Sequence, residues 1–281
     1  MKTYCTALFT ALTALALFHS KSVGKTHTVD KSGLGQFLTI QAAVTAAQVN
    51  DTVKVFPGDY NEQVVISKYI VLQGSGYEYT RIIAAAAPAV KISVGKIMWF
   101  AISSKAGYAV DMSGGKINNC VVWNSPGYGI YFSGSANATA IVQNCTVVNN
   151  NRGYDDQIYA YTNGLTVVNT IVWTFPSGNS DRDYITGNNV GILHCRTHNK
   201  AGTQGISDDP EFFSSSDLRL VNTSPCIDKG SPDLNDPDGS LNDLGYYGGP
   251  EAPIAPVVTQ LRISINPNGT VNVQATAQST Y

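Results

Sequence analysis

Five charged side chains stand out by type and spacing: Arg152, Asp156, Asp181, Arg182 and Asp183, with Asp155 beside them. Asp156 falls in "YDDQIYAY" and Asp181, 25 residues on, in "NSDRDYI"; these stretches follow Gly153 and Gly178, which align with Gly127. If the two stretches stack, the carboxylates converge with both arginines next to them. Such a group can bind Ca²⁺, which takes several carboxylate and carbonyl oxygens. It can also supply the paired acid and base of glycoside hydrolysis. With calcium offsetting a uronate carboxylate, Arg152 or Arg182 can abstract the proton in a lyase reaction, although its high pKa makes arginine a difficult base. Solvated loops joined by salt bridges are the plainer reading of the same residues.

Aromatic residues surround this group. Tyr128, Tyr131, Tyr154, Tyr159 and Tyr161, with Trp123 and Trp173 in an outward-facing column, can form a strip on which sugar rings stack. The alternative is packing beneath loops on the outside of a sheet. Near the C-terminus "DLNDPDGSLND" gathers Asp236, Asp238 and Asp243 around a glycine turn, a candidate calcium site without regular EF-hand spacing. Asx-turn chemistry explains the same composition. His194 and His198, four apart on an extended segment, read as structural.

The elements that must carry these residues are set by a repeat. "INNCVVWN" (117–124), "VQNCTVVN" (142–149), "VVNTIVWT" (167–174) and "ILHCRTHN" (192–199) recur every 25 residues. A fixed period of this size marks a solenoid, and the two-residue alternation within each phrase marks strands. Positions 117, 142, 167 and 192 are β-branched, and 120, 145, 170 and 195 are Cys, Cys, Thr and Cys, small enough for a narrow interior. The column Val121, Thr146, Ile171 and Arg196 tolerates polarity, as an outward face would. Asn119, Asn144 and Asn169 form a ladder, because asparagine accepts left-handed turns and its amide reaches neighbours above and below. "KIMWFAI" and "YIVLQGSG" extend the repeat toward the N-terminus at slightly longer spacing, and "DTVKVFPGDYNEQVVI" reads as strand, Pro-Gly turn, strand. In "TIQAAVTAAQ", Ile40, Ala43, Val44 and Ala47 lie on one helical face, a helix that covers the open end of the solenoid. The expected fold is all-β: a single-stranded parallel β-helix of about 25 residues per coil with an N-terminal capping helix, which the resemblance described below implies to be right-handed.

The chain has 281 residues, 43% hydrophobic and 14% charged, with 26 glycines and 15 tyrosines, the make-up of short strands and tight turns. A formal net charge of −2 argues against nucleic acid as partner. Lys2 followed by the apolar run Ala7–Phe18 and small residues has the layout of a secretory signal peptide, too short to span a membrane permanently. The domains expected are a signal peptide at 1–24, the β-helix at 25–250, and a proline-rich linker with two strands at 251–281, the last able to be part of a larger module. Cys120, Cys145, Cys195 and Cys226 allow three disulfide pairings, while their spacing suggests Cys120 and Cys145 as stacked apolar fillers.

The segment 35–76, including "PGDYNE" (57–62), resembles the opening of pectin methylesterases and other pectin-lyase-like right-handed β-helix proteins. The I-x-N-C-x-V phrase resembles coils of exported bacterial members, and 208–250 resembles the segment that closes such helices. The resemblance covers most of residues 28–250 and implies fold and export. The methylesterase aspartates and arginine, the polygalacturonase Gly-His-Gly motif and the pectate-lyase base beside calcium carboxylates have no counterpart, so no catalytic residue is carried over. The expectation is a secreted or cell-surface monomer that acts on or binds polysaccharide, with Ca²⁺ as the one candidate cofactor. Its chemistry, if any, would be a uronic-acid lyase's before a glycoside hydrolase's. The rival is a non-catalytic glycan-binding, adhesin or structural β-helix.

Overall fold

The computed structural model describes residues 24–135, 138–150, 156–175, 184–198, 202–253, 256–266 and 270–279. Three all-parallel sheets share the coils between them. Sheet I holds β1 (Thr26–Val29), β2 (Thr52–Val55), β5 (Val71–Gln73), β8 (Lys96–Met98), β11 (Gly115–Asn118), β14 (Ala140–Gln143), β17 (Leu165–Val168) and β20 (Gly191–Leu193). Sheet II holds β4 (Val64–Ile66), β7 (Val90–Ile92), β10 (Val110–Met112), β13 (Ile130–Phe132), β16 (Asp156–Ala160) and β19 (Tyr184–Gly187). Sheet III holds β3 (Gly58–Tyr60), β6 (Thr80–Ala84), β9 (Ala101–Ser104), β12 (Val121–Trp123), β15 (Thr146–Val148) and β18 (Ile171–Trp173). Each coil gives one short strand to each sheet and advances one strand along it. The chain is a parallel β-helix, as the repeat predicts.

The coil is less uniform than the four repeated phrases suggest. Ile117, Val142, Val167 and Ile192 pair in steps of 25. Ile97 pairs with Ile117, however, a step of 20, and Val53 with Leu72, a step of 19. The segments 69–76 and 96–102 are therefore followed by steps of 25 and 20, not longer ones, while His27 to Val53 and Val64 to Val90 are steps of 26. Strand register is kept by the inward apolar residues, while length is absorbed in the turns between sheets.

The inward residues make one continuous core. Leu72, Ile97, Ile117, Val142 and Val167 stack from sheet I against Ile102, Val122, Val147 and Val172 from sheet III and Val110, Ile130 and Ile158 from sheet II, all fully buried. Each such side chain contributes about 1.5–3 kcal/mol of burial. Cys120, Cys145 and Cys195 fill the narrow corner between sheets I and III as free thiols, and Cys226 is free and buried outside it. Burial pushes the Cys145 and Cys195 thiols up to about 12, so they remain protonated apolar fillers.

A second core lies outside sheet III. Val121, Thr146, Ile171 and Arg196 do face away from the solenoid, as expected, but residues 202–253 wrap over them, and all four are buried. Leu218, Cys226, Leu244 and Tyr246 from this wrap pack on Val121, Val148, Ile171 and Trp173. The asparagine ladder is the seam. Asn119, Asn144, Asn169 and His194 all have left-handed backbone, with φ between 42° and 52°. Stacking amide to amide accounts for one rung, Asn169 Nδ2 to Asn144 Oδ1 at 3.4 Å. The stronger bonds run to the wrap: Asn119 Nδ2 donates to the carbonyls of Tyr246 and Gly248 at 2.7 and 2.8 Å, and Ser231 N donates to Asn169 Oδ1 at 2.9 Å.

At the other end, helix α1 (Ile40–Ala46) buries Ile40, Ala43 and Val44 against the first coil. The "PGDYNE" segment is its joint. Glu62 accepts from the Ile40 and Gln41 N–H groups, both at 2.9 Å, and Thr39 Oγ1 accepts from Ala42 N. Lys68 Nζ donates to the carbonyls of Thr45 and Ala47 at 2.7 and 2.8 Å. An acid at the N-terminus and a base at the C-terminus complement the helix dipole. Gln41 Oε1 in turn accepts from Val65 N on β4, the outermost strand of sheet II, so the helix satisfies an edge that would otherwise invite pairing. At the C-terminus β21 (Pro256–Ile265) and β22 (Val271–Ser279) pair antiparallel. Among the described residues no helix is long and apolar enough to cross a membrane.

Candidate functional site

One residue of each sheet II strand points outward, flanked by buried neighbours on both sides in all but β19, where Gly187 is exposed. In register these are Val65, Lys91, Asp111, Tyr131, Tyr159 and Thr186. Tyr108 and Tyr128, in the turns that lead into β10 and β13, lean onto the same column. Tyr108 stacks on Tyr131 with ring centroids 4.6 Å apart, and Tyr128 on Tyr159 at 5.1 Å. The ladder neighbours Tyr131 and Tyr159 are 6.0 Å apart and 12° from parallel. All four rings are half-buried.

This arrangement alters what a sugar can meet. Rings stacked at such distances cover one another's faces, so the column presents ring edges and phenolic hydroxyls, with a free face only at its ends. Aromatic pairs of this kind are worth about 0.5–1.5 kcal/mol each beyond burial, and the column braces sheet II as well as lining it. Burial raises the Tyr131 pKa, and the neighbouring phenols of Tyr108, Tyr161 and Tyr159 push the same way, so the hydroxyl stays protonated and able to donate. Tyr161, 61% exposed, stands beside the column.

Charge sits at one end. Asp111 Oδ1 accepts from Ser133 Oγ at 2.6 Å, and its Oδ2 is 3.7 Å from Lys91 Nζ. The strip therefore runs from an ammonium–carboxylate–hydroxyl group into four tyrosines. Tyr108, Asp111, Lys91 and Ser133 escape a reading based on the 25-residue step, because Lys91, Asp111 and Tyr131 are spaced by 20. Alignment of the alternation Val-Lys-Ile, Val-Asp-Met and Ile-Tyr-Phe would have revealed them.

Asp156 opens β16 beside Tyr184 of β19, half-buried, where a bulge shifts the register before Ile158. Arg152, Tyr154, Asp155, Asp181, Arg182 and Asp183 lie outside the described residues. Trp173 is not part of an open strip: it is 6% exposed under the C-terminal wrap, with the Arg196 guanidinium 4.0 Å from its ring centroid. Trp123 packs at the margin of the same core. The wrap that covers them is distant in sequence, so their strand pattern alone could not distinguish cover from solvent. His198 meets the Tyr184 ring edge-on.

Asp236, Asp238 and Asp243 do share a loop, and a backbone N–H donates to each of the three carboxylates. Asp236 accepts from Gly249 N and Asp243 N, Asp243 from Asp228 N at 2.8 Å, and Asp238 from Ser240 N and Oγ. Burial first, and then the Asp236 and Asp228 carboxylates, raise Asp243 to about 6. Among the described residues no group of three or more His, Cys, Asp or Glu is placed to hold a metal ion.

No family model matches the sequence, and neither does any curated protein. Solved structures similar in fold include pectin methylesterases. PemA from Erwinia chrysanthemi is 15% identical, covers 61% of this chain and 78% of its own, and has a TM-score of 0.44. The carrot enzyme is 16% identical, covering 63% and 73%, also at 0.44. A pectin methylesterase mutant in complex with a hexasaccharide is 15% identical, covering 70% and 93%, at 0.41. The resemblance is distant and concerns the course of the chain; the fold assignment itself rests on the three in-register parallel sheets.

Proposed function

We propose that this chain is an exported β-helix protein that binds polysaccharide along the outer face of sheet II. The observation that carries the reading is the half-exposed column of Tyr108, Tyr128, Tyr131 and Tyr159, continued in register by Asp111 and Lys91. The free ring faces at the column's ends meet the apolar C–H groups of a pyranose, while phenol, carboxylate and ammonium groups meet its hydroxyls, and the regular strand spacing suits a repeating ligand. Binding needs only what this face presents. A lyase or hydrolase reaction would draw on Asp156 and the acidic stretches beyond it.

The test is affinity electrophoresis of the mature chain through gels holding neutral and acidic polysaccharides, alongside Tyr131→Ala/Tyr159→Ala. Loss of two ring contacts at about 1 kcal/mol each predicts a roughly tenfold to thirtyfold weaker interaction. An unchanged mobility shift in a variant with native circular dichroism would sink the reading. Unsaturated or reducing-end products in the same incubations would add catalysis to binding.

A further inference from the structure

One carboxylate on the outer face of sheet I holds an amine and an amide together. Glu251, from the C-terminal wrap, accepts from Lys96 Nζ through Oε1 at 2.6 Å and from Asn118 Nδ2 through Oε2 at 2.9 Å. Its backbone carbonyl accepts from Trp99 Nε1 at 2.8 Å, which fixes the main chain behind the carboxylate. Lys96 and Asn118 stand on adjacent strands, β8 and β11, and both face outward, because their neighbours Ile97 and Ile117 point into the core. Asn118 is the ladder partner of Met98, two residues beyond Lys96. A strand spacing of about 4.8 Å and a rise of about 3.3 Å per residue put the two Cα atoms about 8 Å apart, within reach of a lysine stem and an asparagine.

Neighbouring bonds set the orientation of the Asn118 amide. Asn119 Nδ2 donates to the carbonyls of Tyr246 and Gly248, so Asn119 Oδ1 is left as an acceptor, and Asn118 Nδ2 donates to it. The amide nitrogen of Asn118 is thereby turned toward Glu251, while its buried Oδ1 has no hydrogen-bond partner among the described residues. Asn118 is 1% exposed, whereas the Lys96 and Glu251 side chains are 23% and 39% exposed. An ion pair alone would need only Lys96 and Glu251. Here the same carboxylate bridges a nucleophile and a leaving group, the placement that acid–base catalysis of amide transfer requires.

We propose that Lys96 and Asn118 join in an isopeptide bond, with Glu251 as the catalytic base and then acid. Glu251 Oε1 takes a proton from the Lys96 ammonium, and the freed lone pair attacks Asn118 Cγ to form the Nζ–Cγ bond. The Cγ–Nδ2 bond breaks with its electron pair on nitrogen. That nitrogen takes the proton held by Glu251 and a second one shed by Nζ, and leaves as ammonium. Glu251 ends as the carboxylate it began as, and nothing is oxidised or reduced. Glu251 lies 155 residues from Lys96 and 133 from Asn118, so the reaction waits until the C-terminal wrap has closed on the solenoid. The bond ties two adjacent coils and constrains the unfolded chain as a disulfide would, in a protein whose Cys120, Cys145, Cys195 and Cys226 are all free.

The experiment is mass spectrometry of the purified full chain, intact and after proteolysis. Wild type should weigh one ammonia less than its sequence, and digestion should release a branched peptide that contains both Lys96 and Asn118. The branched peptide is needed because a cyclic imide at an asparagine loses the same mass without a link. Lys96→Arg keeps the charge beside Glu251 but cannot form the bond, and should return to full mass. Glu251→Gln keeps both reacting residues and should also stay at full mass, with native circular dichroism. Separate wild-type peptides for Lys96 and Asn118, each at full mass, overturn the proposal, as does an ammonia deficit that persists in Lys96→Arg. A branched peptide from Glu251→Gln overturns the role given to the glutamate.

Discussion

Asn144 and Asn242, 98 residues apart, are joined by a 3.0 Å hydrogen bond from Nδ2 of the first to Oδ1 of the second, both side chains buried. The ladder of the central coils is therefore a clasp for the C-terminal wrap more than a stack of amides. Two demands meet at each rung: a left-handed turn and a polar group aimed outward.

Asn119 separates these demands experimentally. Asn119→Ala strands the Tyr246 and Gly248 carbonyls and leaves in left-handed backbone a residue that tolerates it less well than asparagine, at a cost of about 3 kcal/mol. Asn119→Gly keeps the turn and loses only the bonds, so it should be less destabilised by about 1 kcal/mol. Urea midpoints of the two variants check the difference; equal midpoints would show that the turn conformation contributes nothing.

The helix lid should loosen without Glu62. Glu62→Ala removes the acceptor shared by Ile40 and Gln41 N–H, a capping loss of about 1–2 kcal/mol. Amide exchange should speed up at Ala43 and Val44 while Val142 and Val147 keep their protection. Uniform acceleration along the solenoid would mean that the lid and the coils open together.

Asp51 should set part of the acid limit. Hydrogen bonds from Gln48 N, His27 Nε2 and Lys25 N hold its carboxyl at about 2. The folded value lies below the unfolded one, near 3.9. Its stabilisation is therefore complete above about pH 4 and is lost as pH falls toward 2. In Asp51→Asn, stability measured by urea between pH 4 and pH 2 should fall less steeply than in wild type, from a lower starting point.

Asp243 works in the opposite sense. Its folded pKa of about 6 exceeds the unfolded value, so the native state holds a proton that the unfolded chain has released. Stability falls as pH rises from about 4 to 6. Asp243→Asn keeps an acceptor for Asp228 N, removes the buried charge and should be more stable at pH 7 by on the order of 2 kcal/mol. A pH slope unaltered by the substitution would assign the effect to Asp236, whose pKa burial also raises.

The solenoid, its parallel strands, the inward columns and the helical lid were legible in the residues alone. Alternation of two fixes which side chains face in, and the repeated phrase fixes which strands are neighbours. Both are local signals, and each coil contacts chiefly the coils next to it. The tyrosine column was half legible: Tyr128, Tyr131 and Tyr159 follow from the pattern, while Tyr108, Asp111 and Lys91 sit on shorter coils that a constant step misplaces.

What tertiary structure alone decided is the fate of each outward face. Trp173, Ile171 and Arg196 carry the alternation of solvent-facing positions and are buried, because residues 202–253 return across sheet III. Tyr131 and Tyr159 carry the same alternation and stay half-exposed on sheet II. Glu251 reaches Lys96 across 155 residues. A strand's own sequence states which side is inward, since the pleat alternates by geometry. Whether the other side meets water, a distant segment or a ligand depends on contacts between residues far apart in the chain, which no local period records.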